Sequence, residues 1–433
     1  MRSSNFIYST VIFLISNSYA SKFISHASSN NSLITEVHSK CSKSENIIQT
    51  SSELAAISDC SVIYGNIYIS DFDSDILYLN SIKEVKGDLI VKNSSSLVRM
   101  EAINLNTVGG KLELNTLNSL TSLVFPSLEN VEALKWQVLP ILTFVDLSTG
   151  IKNINSIIMS DTSLTGFGGF NVESLKTLSI NNNRFLEKIE STVSEITGDL
   201  LIAANADNIE VSLPNLTSVK SMTIKDTEKI NLESLQIVEK NADFTQNGFS
   251  ALDLSNMKSI GHTLSIIKNK NLKEVKFDKL SEVGGGLMII DNNKLNKFDF
   301  FVALKTIGGA IEFRGNVNSN HFKELKIIKG SAIMKSSSEE LDCSNWMKNE
   351  VGKVVRGGKV ECGSGKSSTT EVLLVDESGE STNGEPGINE NNNNNSIKDQ
   401  FVKQKSNASS YKFSKKMSII IAAYSAIILL QIL

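Results

Sequence analysis

Three aspartates alternate at Asp71, Asp73 and Asp75, the opening spacing of a loop that wraps calcium in carboxylate oxygens. The glycine such a loop requires is replaced by Ile76 and no glutamate closes it, so the triplet reads as an exposed acidic corner. Gly363, Gly365, Lys366 and Ser367 have the residue types that end a phosphate-binding loop. Val360 stands where its first glycine belongs, and no strand-to-helix pattern surrounds it, so the segment reads as linker. His262 and His321 are the imidazoles of the region that reads as folded, with no serine or cysteine beside them in a nucleophile motif. Asp88 and Asp199 begin strand-like segments at equivalent offsets, but several repeats apart. Paired acids that cleave a sugar bond must sit about 5 to 10 Å from one another. No catalytic constellation emerges, and the chain reads as a non-enzyme with no catalytic, cofactor or metal residues and no small-molecule substrate.

Composition narrows the classes further. Lys and Arg number 43 against 47 Asp and Glu, so there is no basic excess and no nucleic-acid partner is expected. Hydrophobic residues make up 40% of the 433 while aromatics make up 6%, which favours stacked aliphatic strands over a compact enzyme core. Tyr64, Tyr68, Tyr78, Trp136 and Trp346 are the candidates for a sugar-stacking platform, with Tyr64 and Tyr68 near the start of the folded region. So thin a set favours a protein-contacting scaffold over a sugar reader.

The elements that carry these residues form a repeat. Segments that open on glycine or a small residue and continue with alternating apolar positions recur as Gly65-Asn-Ile67-Tyr-Ile69, Gly87-Asp-Leu89-Ile-Val91, Gly110-Lys-Leu112-Glu-Leu114 and Gly198-Asp-Leu200-Leu-Ile202. The series runs on through Met222, Leu264, Leu287 and Ile311. The step is about 22 residues and the series holds about thirteen coils, the pattern of stacked short rungs. Alternation with period two marks strands with one face buried, and no long 3.6-residue period competes. The predicted fold is all-β: a right-handed parallel β-helix or leucine-rich-repeat-like solenoid over residues 41–362, about 60 Å long at the strand spacing. Asn93, Asn115, Asn183, Asn205, Asn247, Asn269, Asn292 and Asn316 follow strands. They are expected to turn the corners in the left-handed conformation and to stack as a ladder.

Solenoids need closed ends, and the four cysteines fall there: Cys41 and Cys60 before the first coil, Cys343 and Cys362 after the last. Four cysteines allow three connectivities, of which Cys41 with Cys60 and Cys343 with Cys362 is the simplest. Residues 1–20 carry Arg2, an apolar run and Ser18-Tyr19-Ala20, a secretory signal. Residues 21–40 form a polar N-terminal segment. Residues 363–407, with Asn391 to Asn395, read as a disordered linker. The last stretch, 408–433, ends in an apolar tail behind the small residues Ser406, Asn407, Ala408 and Ser409. That is the signal for a glycosylphosphatidylinositol (GPI) anchor, with Asn407 as attachment residue and Ser406 and Ser409 as its competitors. Glycosylation sequons stand at Asn30, Asn93, Asn215 and Asn394, and a glycan must point to solvent.

Paired cysteines bracketing coils of the form Gly-x-Leu-x-Ile, between a signal peptide and a GPI tail, resemble the fungal GPI-anchored cell-wall organisation proteins. The repeats of that family are similar to receptor L domains, and sporulation-specific spore-wall members belong to it. The resemblance covers residues 41–362 in architecture and both termini in targeting. It implies a non-enzymatic protein of the outer plasma-membrane leaflet or the wall. Its implied partners are the membrane, through the lipid, and vegetative or spore-wall polymers or wall-assembly proteins. It contributes no catalytic residue. Lys403 and Lys405 before the anchor resemble the basic pairs that accompany membrane retention, so membrane and wall linkage both stay open.

Overall fold

The computed structural model describes residues 39–168, 170, 172–366 and 370–382. Each coil of the chain makes three short runs of strand, and successive coils lie in parallel register. On the first face, Asn66–Ser70 pairs with Leu89–Lys92, which pairs with Thr107–Asn115. The stack continues coil by coil to Ala332–Ser336 and Gly358–Gly363. Short strands such as Glu84–Val85 and Glu282–Val283 build the second face. Long strands that run through the corner, with a register shift between Ile196 and Asp199 for instance, fuse the two faces into one 24-stranded sheet. The third face is made of separate small sheets, the first ending at Phe144–Asp146 and the next beginning at Gly166–Phe167.

The alternation seen in sequence becomes columns of like side chains. Ile67, Leu89, Leu112 and Leu134 lie in register, as do Ile69, Val91, Leu114 and Trp136, and all of them are buried. A buried aliphatic side chain contributes about 1.5–3 kcal/mol, so each coil is held by the apolar floor and ceiling that its neighbours supply. Backbones also approach closely where the second face bends: a Cβ on Gly284 would sit 2.1 Å from the Gly261 carbonyl oxygen. That contact requires glycine in the position.

From Asp71 to Asp291 the corner at the end of each first-face strand has one non-glycine residue with positive φ, and here the structure corrects the sequence reading. Of the asparagines expected at left-handed corners, Asn93 alone takes that conformation, at φ 54°. Each strained residue immediately precedes an inward-pointing one: Asn93 precedes Ser94, and in five coils Asn182, Ala204, Gln246, Lys268 and Asp291 precede the asparagines Asn183, Asn205, Asn247, Asn269 and Asn292. These five asparagines are buried and bonded between coils. The Asn247 amide and Nδ2 both donate to Asn269 Oδ1 at 2.9 Å, and Asn269 repeats the pattern on Asn292 Oδ1 at 2.9 and 3.1 Å. A shorter ladder joins Thr162, Asn183 and Asn205. Left-handed backbone costs a side-chain-bearing residue roughly 1–2 kcal/mol, and the ladder holds the corner in place against that cost.

Both ends are closed. Cys41 and Cys60 are joined, with Cα atoms 5.7 Å apart, beside a short helix at Ser51–Ala55 whose Thr50 and Glu53 form a reciprocal capping box. Cys343 and Cys362 are joined, with Cα atoms 5.5 Å apart, and Trp346, Met347 and Val351 bury the last coil. The linker expected from Gly363 onward is corrected at its start. Glu371–Val375 forms an antiparallel strand on Gly358–Gly363 and covers that edge of the stack.

Candidate functional site

A solenoid offers its outer faces, and the charged groups on them pair from coil to coil. Glu113, nearly buried on the first face, lies 3.1 Å from Lys111 Nζ and 3.2 Å from Lys135 Nζ. Burial alone would raise its pKa, but the Lys111 hydrogen bond and the Lys135 charge outweigh it and hold the carboxyl below its usual range. Near the far end, hydrogen bonds from Lys335 and then Lys359 hold Glu361 down in the same way. These acids stay ionised as structural links.

Two carboxyls are raised instead. Asp243 is pushed up mainly by burial. Its register neighbours on the first face are Thr223 and Ser265, so no second acid stands in line beside it. Glu350 is also pushed up mainly by burial, and it lies in the C-terminal cap, where Asn345 Nδ2 donates to it at 3.0 Å. The two occupy different parts of the fold and do not form an acid–base pair.

The residues singled out in sequence fall into structural places. Asp71 has φ 49° at a corner, and Asp73 Oδ1 accepts from Ser51 N at 3.0 Å and Ser51 Oγ at 3.2 Å, tying the cap helix to the first coil. Asp88 Oδ1 accepts from the Lys111 amide at 2.9 Å, which links one coil to the next, whereas Asp199 lies exposed. His262 and His321 are exposed. Gly365 follows the strand Gly358–Gly363, and the next described element is its antiparallel partner Glu371–Val375. Among the described residues no group of three His, Cys, Asp or Glu is placed to hold a metal. No described helix is long and apolar enough to cross a membrane.

Asn93 and Asn215 are exposed, as a glycan requires. Asn30, Asn394 and Asn407, the signal over 1–20 and the tail over 408–433 lie outside the described residues.

The aromatic candidates separate sharply. Trp136 and Trp346 are each 1% exposed, and neither indole nitrogen has a hydrogen-bond partner among the described residues. They belong to the core. Tyr64 and Tyr78 are exposed, as is Phe144, which the sequence reading did not consider. Phe144 borders a cleft of about 400 Å³ at the break in the third face, a volume in the range of ligand sites. In the core at this level Trp136 meets Phe167 edge-on at 6.1 Å, and Phe167 meets Phe170 at 4.6 Å.

A capped, ladder-stabilised β-solenoid with structurally engaged acids is a surface-presenting protein, and comparison with known proteins gives the family. No family model matches and no solved structure matches. Sporulation-specific protein 2 of Saccharomyces cerevisiae is 42% identical over 387 residues, 88% of this chain and 75% of the relative. Sporulation-specific protein 22 of the same yeast is 42% identical over 344 residues, 78% of this chain and 74% of the relative. A cell surface GPI-anchored protein of Arthroderma benhamiae is 30% identical over 316 residues, 73% and 81% of the two chains. The chain belongs to this family of fungal sporulation-specific and GPI-anchored cell-surface proteins.

Proposed function

We propose that the protein is a non-enzymatic, GPI-anchored surface protein required for cell-wall organisation, acting in spore-wall assembly during sporulation. The observation that carries this reading is the 42% identity to two sporulation-specific proteins over most of the chain. The terminal signals support it: cleavage follows Ala20, and a lipid at Asn407, or at Ser406 or Ser409, replaces the tail. Asn93 directly follows the first-face strand Leu89–Lys92, so a glycan there projects from the corner of the first face, and Asn215 lies in the turn before Ser218–Lys225. The first face is a rigid row of rungs along which wall polymers or wall-building enzymes are aligned. Vegetative wall integrity is the second reading, supported by relatives of 28–30% identity that are named as cell-surface or cell-wall proteins without reference to sporulation.

Deleting the gene tests the reading. Spores of the deletion strain are expected to lose resistance to wall-digesting enzymes while growing cells stay normal. Weak vegetative walls with sound spores would select the second reading, and normal walls in both states would end both. Phosphatidylinositol-specific phospholipase is expected to release the protein from membranes.

A further inference from the structure

The third-face ladder stops between Phe144–Asp146 and Gly166–Phe167, although the spacing in sequence is the one that pairs neighbouring coils on either side. Val145 pairs with Leu123 before the break and Phe167 with Ile189 after it, yet no ladder among the described residues joins Val145 to Phe167. Glycines widen this gap. Gly166 is the register partner of Lys188, which in turn pairs with Glu210, so long side chains cover the following coils where this coil carries none. A Cβ added at Gly166 or Gly168 would meet nothing within 4 Å. Neither glycine is dictated by crowding, and both line the slot and leave it open.

The slot has two kinds of wall. Phe144, 53% exposed, presents an aromatic surface at its edge. Thr143, Thr165 and Ser148 supply hydroxyls, and Asp146 is the charged residue of the lining. Asp146 Oδ1 accepts from the Ser148 amide at 3.0 Å, while no hydrogen bond to Oδ2 is seen among the described residues. The volume of about 400 Å³ falls within the range of small-molecule sites. An aromatic face with a rim of hydroxyls and one carboxylate acceptor suits a ring with C–H groups on its faces and hydroxyls at its edge. A lining with one acid and no Lys or Arg disfavours anions, and a single carboxylate is too few for a metal ion.

We propose that this cleft binds a neutral pyranose unit of a wall polysaccharide, a glucan or chitin, stacked on Phe144 and hydrogen-bonded to Asp146 Oδ2. The choice of wall polysaccharide rests on the wall reading above, whereas the preference for a neutral sugar rests on the lining itself.

Calorimetric titration of the purified full chain with laminarihexaose, chitohexaose and the non-wall sugar maltohexaose tests it. One of the first two is expected to bind. Gly166→Lys, which puts into the slot the residue its neighbour coil already carries, is expected to abolish binding without lowering the melting temperature. Phe144→Ala is expected to weaken binding roughly tenfold, and Phe185→Ala, at an exposed ring outside the lining, to leave it unchanged. Absence of binding to both wall sugars, binding of maltohexaose alone, or wild-type affinity in both cleft variants overturns the proposal. Spore survival is read separately, so a sound wall in the deletion strain would remove the wall reading while leaving the measured sugar affinity standing.

Discussion

Asn269 is the residue whose replacement should most clearly expose how the coils are held together. Its side chain makes four hydrogen bonds while fully buried: Oδ1 accepts from the Asn247 amide and Nδ2, and Nδ2 donates to the Phe244 carbonyl at 2.9 Å and to Asn292 Oδ1. Asn269→Ala leaves the Asn247 N–H without its acceptor, which costs about 1–3 kcal/mol, and removes three further bonds at about 1 kcal/mol each. With partial compensation from bonds that survive, such as Asn269 N to Asn292 Oδ1, a net loss of about 3 kcal/mol is expected. A solenoid opens locally, so the loss should appear in the adjacent coils and not uniformly. Amide hydrogen exchange across 242–292 should accelerate roughly a hundredfold. Asn316→Ala, at an exposed position beyond the end of the ladder, should change exchange by no more than about twofold. Equal effects from the two variants would refute the inter-coil role of the ladder.

Gly284→Ala, whose Cβ meets the Gly261 carbonyl at 2.1 Å, should destabilise by about 1–3 kcal/mol, while Gly166→Ala should leave the melting temperature unchanged. Replacing Cys343 and Cys362 together by serine opens a loop of about 20 residues and should cost about 3 kcal/mol, seen as early loss of protection in the C-terminal cap. Asp243 has a folded-state pKa above its unfolded value because of burial. Its ionisation therefore opposes folding as pH rises through that window, and the penalty is complete above the folded pKa. Asp243→Asn should raise the melting temperature at neutral pH, and the advantage should vanish in acid, where the carboxyl is protonated in both states. An unchanged melting temperature at neutral pH would contradict the burial argument.

The coils were legible because their determinants are local and repeated: glycine, then apolar residues on one parity, as in Gly87, Leu89 and Val91. The cysteine pairs were legible because they flank that series. The corner chemistry was only half legible. A buried, ladder-forming Asn269 and an exposed Asn316 look alike in sequence, and the strained position belongs to the residue before, where Lys268, Gln246 and Ala204 have no common side-chain signature. Trp136 looked available for stacking, but its parity matches Leu134, the mark of an inward residue. The cleft was hidden because it depends on an interruption between coils. The pairing of Gly166 and Gly168 with a preceding exposed Phe144 is the signal that could have revealed it. The strand Glu371–Val375 was hidden by its polar surroundings and by a partner strand that lies across the Cys343–Cys362 cap.

The claim on which all of this depends is that residues one repeat apart lie one rung apart, and engineered cross-linking measures that most directly. All four native cysteines are in disulfides, so an added pair has no competing thiol. Ser179 and Leu201 are register partners on the first face, and Thr223 lies one rung further. Adjacent rungs are about 4.8 Å apart, within the Cα range of a disulfide, and alternate rungs are about twice that, beyond it. Mild oxidation of Ser179→Cys with Leu201→Cys should give a complete intramolecular bond, and Ser179→Cys with Thr223→Cys should give none. Bonding of the second pair, or failure of the first, would contradict the coil register.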